Sequence, residues 1–172
     1  MVNIIRQSKK KYKVGMFGGK FMPFHKGHFY CIDVAAAQCE KVYVLLFSGG
    51  EQEMEILMQN PGESYLSAKD REKHIISAIR NYNNAEFHFI DITGCRNPDG
   101  TENWDMETPL VRAICGRMDA VYGSEPSYKA YFDRAYPEVE YILVDVKRKH
   151  YPISGTAIRN MENWKERELW II

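Results

Sequence analysis

Two histidines three positions apart close the segment Gly19-Lys20-Phe21-Met22-Pro23-Phe24-His25-Lys26-Gly27-His28. Imidazoles this close supply two directed side-chain donors. Lys20 and Lys26 make the segment locally cationic in a chain whose Lys+Arg and Asp+Glu counts are both 23. The segment runs into a helical pattern, and a helix N-terminus adds free N–H groups and the positive end of its dipole. The ligand that suits such a place is a phosphate, and the chemistry is stabilisation of charge on phosphate oxygens, with no covalent nucleophile. The glycines and Pro23 allow a tight turn and close approach of backbone to the ligand. The spacing is neither that of a Walker loop nor that of a dinucleotide G-x-G-x-x-G fingerprint. From the residues alone, two surface histidines on an ordinary helix cap remain an alternative.

A second constellation lies near the other end, in Ile153-Ser154-Gly155-Thr156-Ala157-Ile158-Arg159. Ser154 is an N-cap residue, Thr156 adds a hydroxyl, and the Arg159 guanidinium can meet phosphate oxygens as a fork. A plain capped helix with a surface arginine is the other reading. Two phosphate-binding helix starts from opposite ends of one chain are what a triphosphate requires.

The elements that must position these residues alternate along the chain. Strands are expected at 12–17, stopped by Gly18-Gly19, then at 42–47, 86–92, 120–122 and 141–146, each a short apolar run. Helices are expected at 26–39, with Phe29, Ile32, Ala36 and Cys39 inward, and from Ser67 to about Tyr82, with Ile75, Ile76 and Ile79 inward. Further helices are expected from Thr108-Pro109, over 127–135 and after Ser154, with loops around Asn60-Pro61-Gly62 and from Thr93 to Asn103. Strand–helix alternation repeated five times predicts a single-domain α/β fold, a doubly wound, Rossmann-like five-stranded parallel sheet with helices on both faces. Ligands then bind beyond the carboxyl ends of the strands, where strand order reverses. If the first and fourth strands flank that point, Gly18–His28 faces Gly123–Glu125.

Composition narrows the classes. The 172 residues fit one domain, with a basic lead-in at 1–11 ahead of a folded domain at 12–172. A formal net charge of zero argues against a nucleic-acid partner. No apolar run is long enough to span a bilayer and no signal peptide is seen, so a cytoplasmic protein is expected. The cysteines Cys31, Cys39, Cys95 and Cys115 form no metal-binding or disulfide pattern, and buried, reduced thiols are expected.

The first segment resembles the G-x-F-x-P-x-H-x-G-H motif of the HxGH nucleotidyltransferase superfamily at every fixed position, and the second resembles its I-S-x-T-x-x-R motif. That resemblance implies that His25 and His28 bind ATP phosphates and stabilise the transition state, with Ser154, Thr156 and Arg159 on the departing pyrophosphate. Val121-Tyr122-Gly123-Ser124-Glu125-Pro126, Leu143-Val144-Asp145 and the Lys20 variant of the first motif look similar to NadR-type adenylyltransferase domains. Phosphopantetheine adenylyltransferases typically carry Thr at the first histidine position, and a cytidylyltransferase R-T-x-G-I-S-T motif is absent. The implied reaction joins AMP from ATP to nicotinamide mononucleotide, giving NAD and pyrophosphate, with Mg²⁺ held mainly by ATP phosphates and no dedicated protein metal site. Gly19, Lys20, Phe21, Gly123, Ser124, Glu125 and Ile153 complete the expected ATP site. Trp104 is expected to stack on the acceptor base, Arg71 to meet its phosphate, and Lys20 to serve both substrates. Rivals are nicotinic acid mononucleotide, phosphopantetheine or flavin mononucleotide as acceptor, and a non-catalytic nucleotide sensor. Without a Walker motif, the family's kinase activity is not expected, whether the domain stands alone or is cut from a longer protein. Multimers are common in the superfamily, which leaves room for a homo-oligomer.

Overall fold

The computed structural model describes residues 9–172, so most of the expected lead-in lies outside the described residues. Its last part is less free than a solvated tail. Lys10 Nζ donates to Ala36 O at 2.8 Å and Ala37 O at 3.2 Å, carbonyls at the negative end of the first helix.

Five parallel strands form one sheet: β1 (Tyr12–Gly19), β2 (Cys39–Ser48), β3 (Ala85–Asp91), β4 (Ala120–Gly123) and β5 (Glu140–Leu143), in the order β3-β2-β1-β4-β5. The order reverses between β1 and β4, which pair through Gly15–Ala120, Met16–Val121 and Phe17–Tyr122. Side-chain alternation divides the buried apolar residues between two faces. Phe17, Val44, Leu46 and Tyr122 join one core cluster, while Met16, Leu45 and Val121 join the other. The first is covered by α1 (Lys26–Gln38) and α3 (Ala68–Ile79), the second by α4 (Trp104–Cys115) and α5 (Lys129–Ala135). This is the doubly wound sheet expected from the sequence. All four cysteines are buried and free, and no helix among the described residues is long and apolar enough to cross a membrane.

Local expectations are corrected at several points. β1 runs through Gly18-Gly19, paired to Leu45 and Leu46 of β2, so the glycines do not stop the strand. Gly18 is needed for space, since a Cβ there would lie 2.6 Å from the Phe47 ring. The left-handed backbone falls instead on Phe21 (φ 52°), a bulky residue held there by packing. A helix not expected from the sequence, α2 (Glu51–Gln59), precedes the Asn60-Pro61-Gly62 turn. In α3, Ser67 caps through Asp70 N–H at 3.1 Å as expected, but Ile76 is exposed. In α1 the inward face is Cys31, Ile32, Ala35 and Ala36, with Phe29 only partly buried. α4 begins at Trp104, capped by Asn103, and Pro109 lies inside it rather than at its start. The fifth helical region divides into a 3₁₀ turn, Pro126–Tyr128, and α5. The last divides into α6 (Gly155–Arg159) and α7 (Trp164–Glu168).

Candidate active site

His25 is the N-cap of α1 and His28 its third residue, and they form a reciprocal capping box built from imidazoles. Gly27 N–H donates to His25 Nδ1 at 3.1 Å, and His25 N–H donates to His28 Nδ1 at 3.3 Å. Each Nδ1 therefore acts as an acceptor, which places the ring proton of each neutral imidazole on Nε2. The rings stack with centroids 3.7 Å apart, and Phe21 meets His28 edge-on at 4.9 Å. Burial, reinforced by the positive charge of Arg148, lowers His25 from 6.5 to about 4. Burial also holds His28 well below 6.5, aided by His25 and Arg148. At neutral pH the pair is thus two uncharged Nε2–H donors. The expected free backbone donors are partly spent: Gly27 N–H is used by His25, and Lys26 N–H donates to Trp170 O at 2.9 Å. The imidazoles take their place.

The second motif folds against the first. Ser154 caps α6 through Ala157 N–H at 3.1 Å. Arg159 donates to Met22 O, in the first motif, and to Thr156 Oγ1 at 3.2 Å. Gly155 makes this crossing possible, since a Cβ there would lie 2.8 Å from Met22 O and 3.1 Å from Arg159 Nη1. A cavity of about 110 Å³ opens between the motifs, lined by His25, His28, Ser124, Ile153, Ser154 and Arg148, among others. Thr156 and Arg159 stand behind Gly155 and do not line it. The guanidinium on the wall belongs to Arg148, which the sequence reading did not single out. It is placed by Asp145, whose carboxylate accepts the N–H groups of Lys149, His150 and Tyr151 at 2.7–3.2 Å. Arg148 Nη1 donates to Ile153 O at 2.6 Å, which ties this loop to the second motif.

A larger cavity, about 320 Å³, opens on the other side of His28, over the ends of β1 and β4. Its walls include Trp104, Tyr128, Tyr131 and Phe132, and it shares His28 and Ser124 with the smaller one. Trp104 stands edge-on to Tyr128 at 4.9 Å and Tyr131 at 5.1 Å. Gly19, Lys20 and Phe21 also line this space, together with Gly123 and Glu125, which had been expected around ATP. The Glu125 carboxylate caps the 3₁₀ turn, accepting from Ser127 N–H at 3.2 Å and its hydroxyl at 2.9 Å. Lys20 Nζ lies 2.8 Å from both Glu102 oxygens and donates to Gln52 Oε1 at 3.1 Å. Gly50 leaves the room that the Glu102 carboxylate occupies.

Arg71 is the clear departure from expectation. It is fully buried, with Nη2 2.6 Å from Glu53 Oε1 and Nη1 donating to Lys20 O at 2.6 Å. Glu53 in turn accepts from Ser48 Oγ at 2.8 Å and Gly49 N–H at 3.0 Å. The guanidinium is committed to an internal network that braces the Lys20 backbone, and it does not open toward an acceptor phosphate.

The switch-point cleft and the two meeting motifs define a nucleotidyltransferase of the HxGH type. The chain belongs to the cytidylyltransferase-like family, whose model matches residues 16–161. Among characterised relatives, it is 26% identical over 157 residues to the trifunctional NAD biosynthesis/regulator protein NadR of Escherichia coli, covering 88% of this chain and 37% of that protein. It is 26% identical over 152 residues to a nicotinamide/nicotinic acid mononucleotide adenylyltransferase of Acinetobacter baylyi, covering 87% and 74% of the two chains. It is likewise 26% identical over 156 residues to a phosphopantetheine adenylyltransferase of Mycoplasma mycoides, covering 90% and 99%. The chain thus spans well under two thirds of the first of these relatives. A solved NadR protein in complex with NAD and AMP-PNP superposes with a TM-score of 0.64 at 21% identity, over 95% of this chain and 46% of that one. A bifunctional NMN adenylyltransferase/ADP ribose pyrophosphatase of Francisella tularensis gives 0.59 at 21% identity, over 86% and 41%. At these identities the two structures speak for the fold.

Proposed function

We propose that the chain transfers AMP from ATP to a phosphate-bearing acceptor, and that the acceptor is nicotinamide mononucleotide, yielding NAD and pyrophosphate. One observation carries this reading: two cavities of different character share a wall at His28 and Ser124. The smaller, with His25, His28 and Arg148, suits a polyphosphate. The larger, walled by Trp104, Tyr128, Tyr131 and Phe132, suits a flat aromatic base more than a flexible, aliphatic arm. A reaction that joins two mononucleotides through their phosphates belongs at their meeting point.

In that reaction an oxygen of the acceptor's 5′-phosphate forms a bond to the α-phosphorus of ATP. The bond from that phosphorus to the β-phosphate bridging oxygen breaks in line, and pyrophosphate leaves with its electron pair. The attacking oxygen is already anionic, so no strong base and no covalent intermediate are required. The protein's part is positioning and charge stabilisation. The Nε2–H groups of His25 and His28 donate to phosphate oxygens as charge moves toward the leaving group, with Arg148 beside them. Ser154, Thr156 and Arg159 secure the loop that closes the cradle. These donors bind anions, so they suit a Mg²⁺ held on the phosphates themselves, where it would neutralise charge on pyrophosphate.

The test is incubation of the purified chain with ATP, Mg²⁺ and nicotinamide mononucleotide, with NAD followed by a dehydrogenase-coupled readout. Parallel pyrophosphate assays offer nicotinic acid mononucleotide and phosphopantetheine. The second of these is a real competitor, because the M. mycoides relative matches over 99% of its own length. NAD formation is expected, and His28→Ala should lower kcat/KM about 10²–10³-fold with the fold intact, the scale of one lost transition-state donor. Turnover with phosphopantetheine alone would keep the chemistry and overturn the acceptor. Tight nucleotide binding without pyrophosphate from any acceptor would make the chain a sensor.

A further inference from the structure

Glu107 follows Trp104 by one turn of α4, with Val111 a turn further, so all three project from one helix face, and all three line the larger cavity. Glu107 is only 8% exposed, and its Oε1 has no hydrogen-bond partner among the described residues. Buried polar groups are normally partnered, so an unpartnered carboxyl oxygen on the wall of a ligand-sized cavity marks a contact left for the ligand. Its surroundings define that ligand. Two acids and one base meet here: Lys20 is already matched to Glu102 at 2.8 Å, which leaves Glu107 as the unmatched acid. Burial, reinforced by Glu102 and opposed by Lys20, pushes Glu107 up to about 7. The Tyr131 phenol and the Cys95 thiol, both uncharged, feel the same carboxyl from the neighbouring elements.

We propose that Glu107 is the specificity-determining residue of the acceptor cavity, accepting a cationic pyridine ring that bears an uncharged carboxamide and rejecting the same ring bearing a carboxylate. The inference rests on the pyridine-mononucleotide reading above and deepens it. A positively charged ring in the cavity that Trp104, Tyr128 and Tyr131 wall gains from the aromatic surface and supplies the cation that Glu107 lacks. A carboxamide N–H gives Oε1 its missing donor. A carboxylate has no donor, and it adds a third acid to a site that holds one ammonium group, so repulsion does the rejecting.

The experiment measures kcat/KM for nicotinamide and nicotinic acid mononucleotides on the wild type and on Glu107→Gln. The wild type should prefer the amide, and the substitution should narrow that preference about tenfold or more, chiefly by improving the acid substrate. An unchanged ratio, or a wild type that prefers the acid, overturns the role of Glu107 while leaving adenylyl transfer in place. Turnover of neither mononucleotide overturns the underlying reading instead. A second measurement needs no variant. Calorimetric titration of the wild type near neutral pH with nicotinamide riboside, a cation without a phosphate, is repeated in buffers of different ionisation heat. Proton release is expected as Glu107 ionises against the ring, and its absence overturns the proposal.

Discussion

Burial moves His25 down to about 4 and Glu107 up to about 7, each toward its uncharged form. The consequences for stability run in opposite directions. Below the ordinary histidine value of 6.5 the unfolded chain takes up a proton that folded His25 refuses. Its contribution is therefore lost as pH falls from there toward about 4. Folded Glu107 keeps a proton that the unfolded chain releases above 4.5, so its contribution is full below that value and is lost as pH rises through about 7. Glutamine copies the protonated carboxyl. The melting temperature of Glu107→Gln should therefore match the wild type below about pH 4.5, exceed it increasingly between there and about 7, and keep a constant lead at higher pH. A difference that stays constant across thermal melts between pH 4.5 and 7 would mean that the carboxyl does not titrate there. The same physics would suit neutral imidazoles to the proposed phosphate cradle, since they can donate through Nε2 without a buried charge.

Among the elements, β2 was legible because a strand buried on both faces reads as a continuous apolar run, and the half-exposed edge strands β3 and β5 were legible as short stretches alternating with helical patterns. The two motifs were legible because each is contiguous and opens a helix. What escaped was set by contacts distant in sequence. The helix α2 carries Glu51, Glu53 and Glu55, and the residue it buries is Glu53, so no apolar period announces it. Arg71 looked free for a ligand because its partner lies on that unseen helix. The start of α4 was misplaced because Pro109 imitates a first-turn proline, whereas the cap is Asn103. That shift matters to the site: it puts Trp104 and Glu107 on one helix face instead of leaving Trp104 on a loop. Arg148 escaped for a different reason: the Asp145 carboxylate gathers three backbone N–H groups four to six residues on, a local loop that no regular period announces. The Arg71–Glu53 pair yields its own prediction. Arg71→Ala should cost about 3–5 kcal/mol in denaturant unfolding, because it strands a buried carboxylate. Joint replacement of both residues by leucine or methionine should recover most of that loss. A single-variant loss near zero would mean that the pair opens to water.

For the molecule as a whole, the reversal of strand order between β1 and β4 brings motifs from opposite ends of the chain to one cleft. The returning C-terminal segment secures this. Ile171 bridges His25, and Arg167 reaches Glu63 Oε1 at 2.8 Å. Two of the three tryptophans belong to that segment, Trp164 against Tyr65 at 5.5 Å and Trp170 beside the Lys26 ammonium at 5.9 Å. Only Trp104 lines the larger cavity. Trp104 would thus serve as an optical probe of the proposed acceptor cavity. With Trp164 and Trp170 replaced by phenylalanine, the remaining indole emission should be quenched by a pyridine mononucleotide stacking on it, and left nearly unchanged by inorganic pyrophosphate in the smaller cavity. Fluorescence would then report which half of the cleft is occupied, and in what order the two substrates arrive.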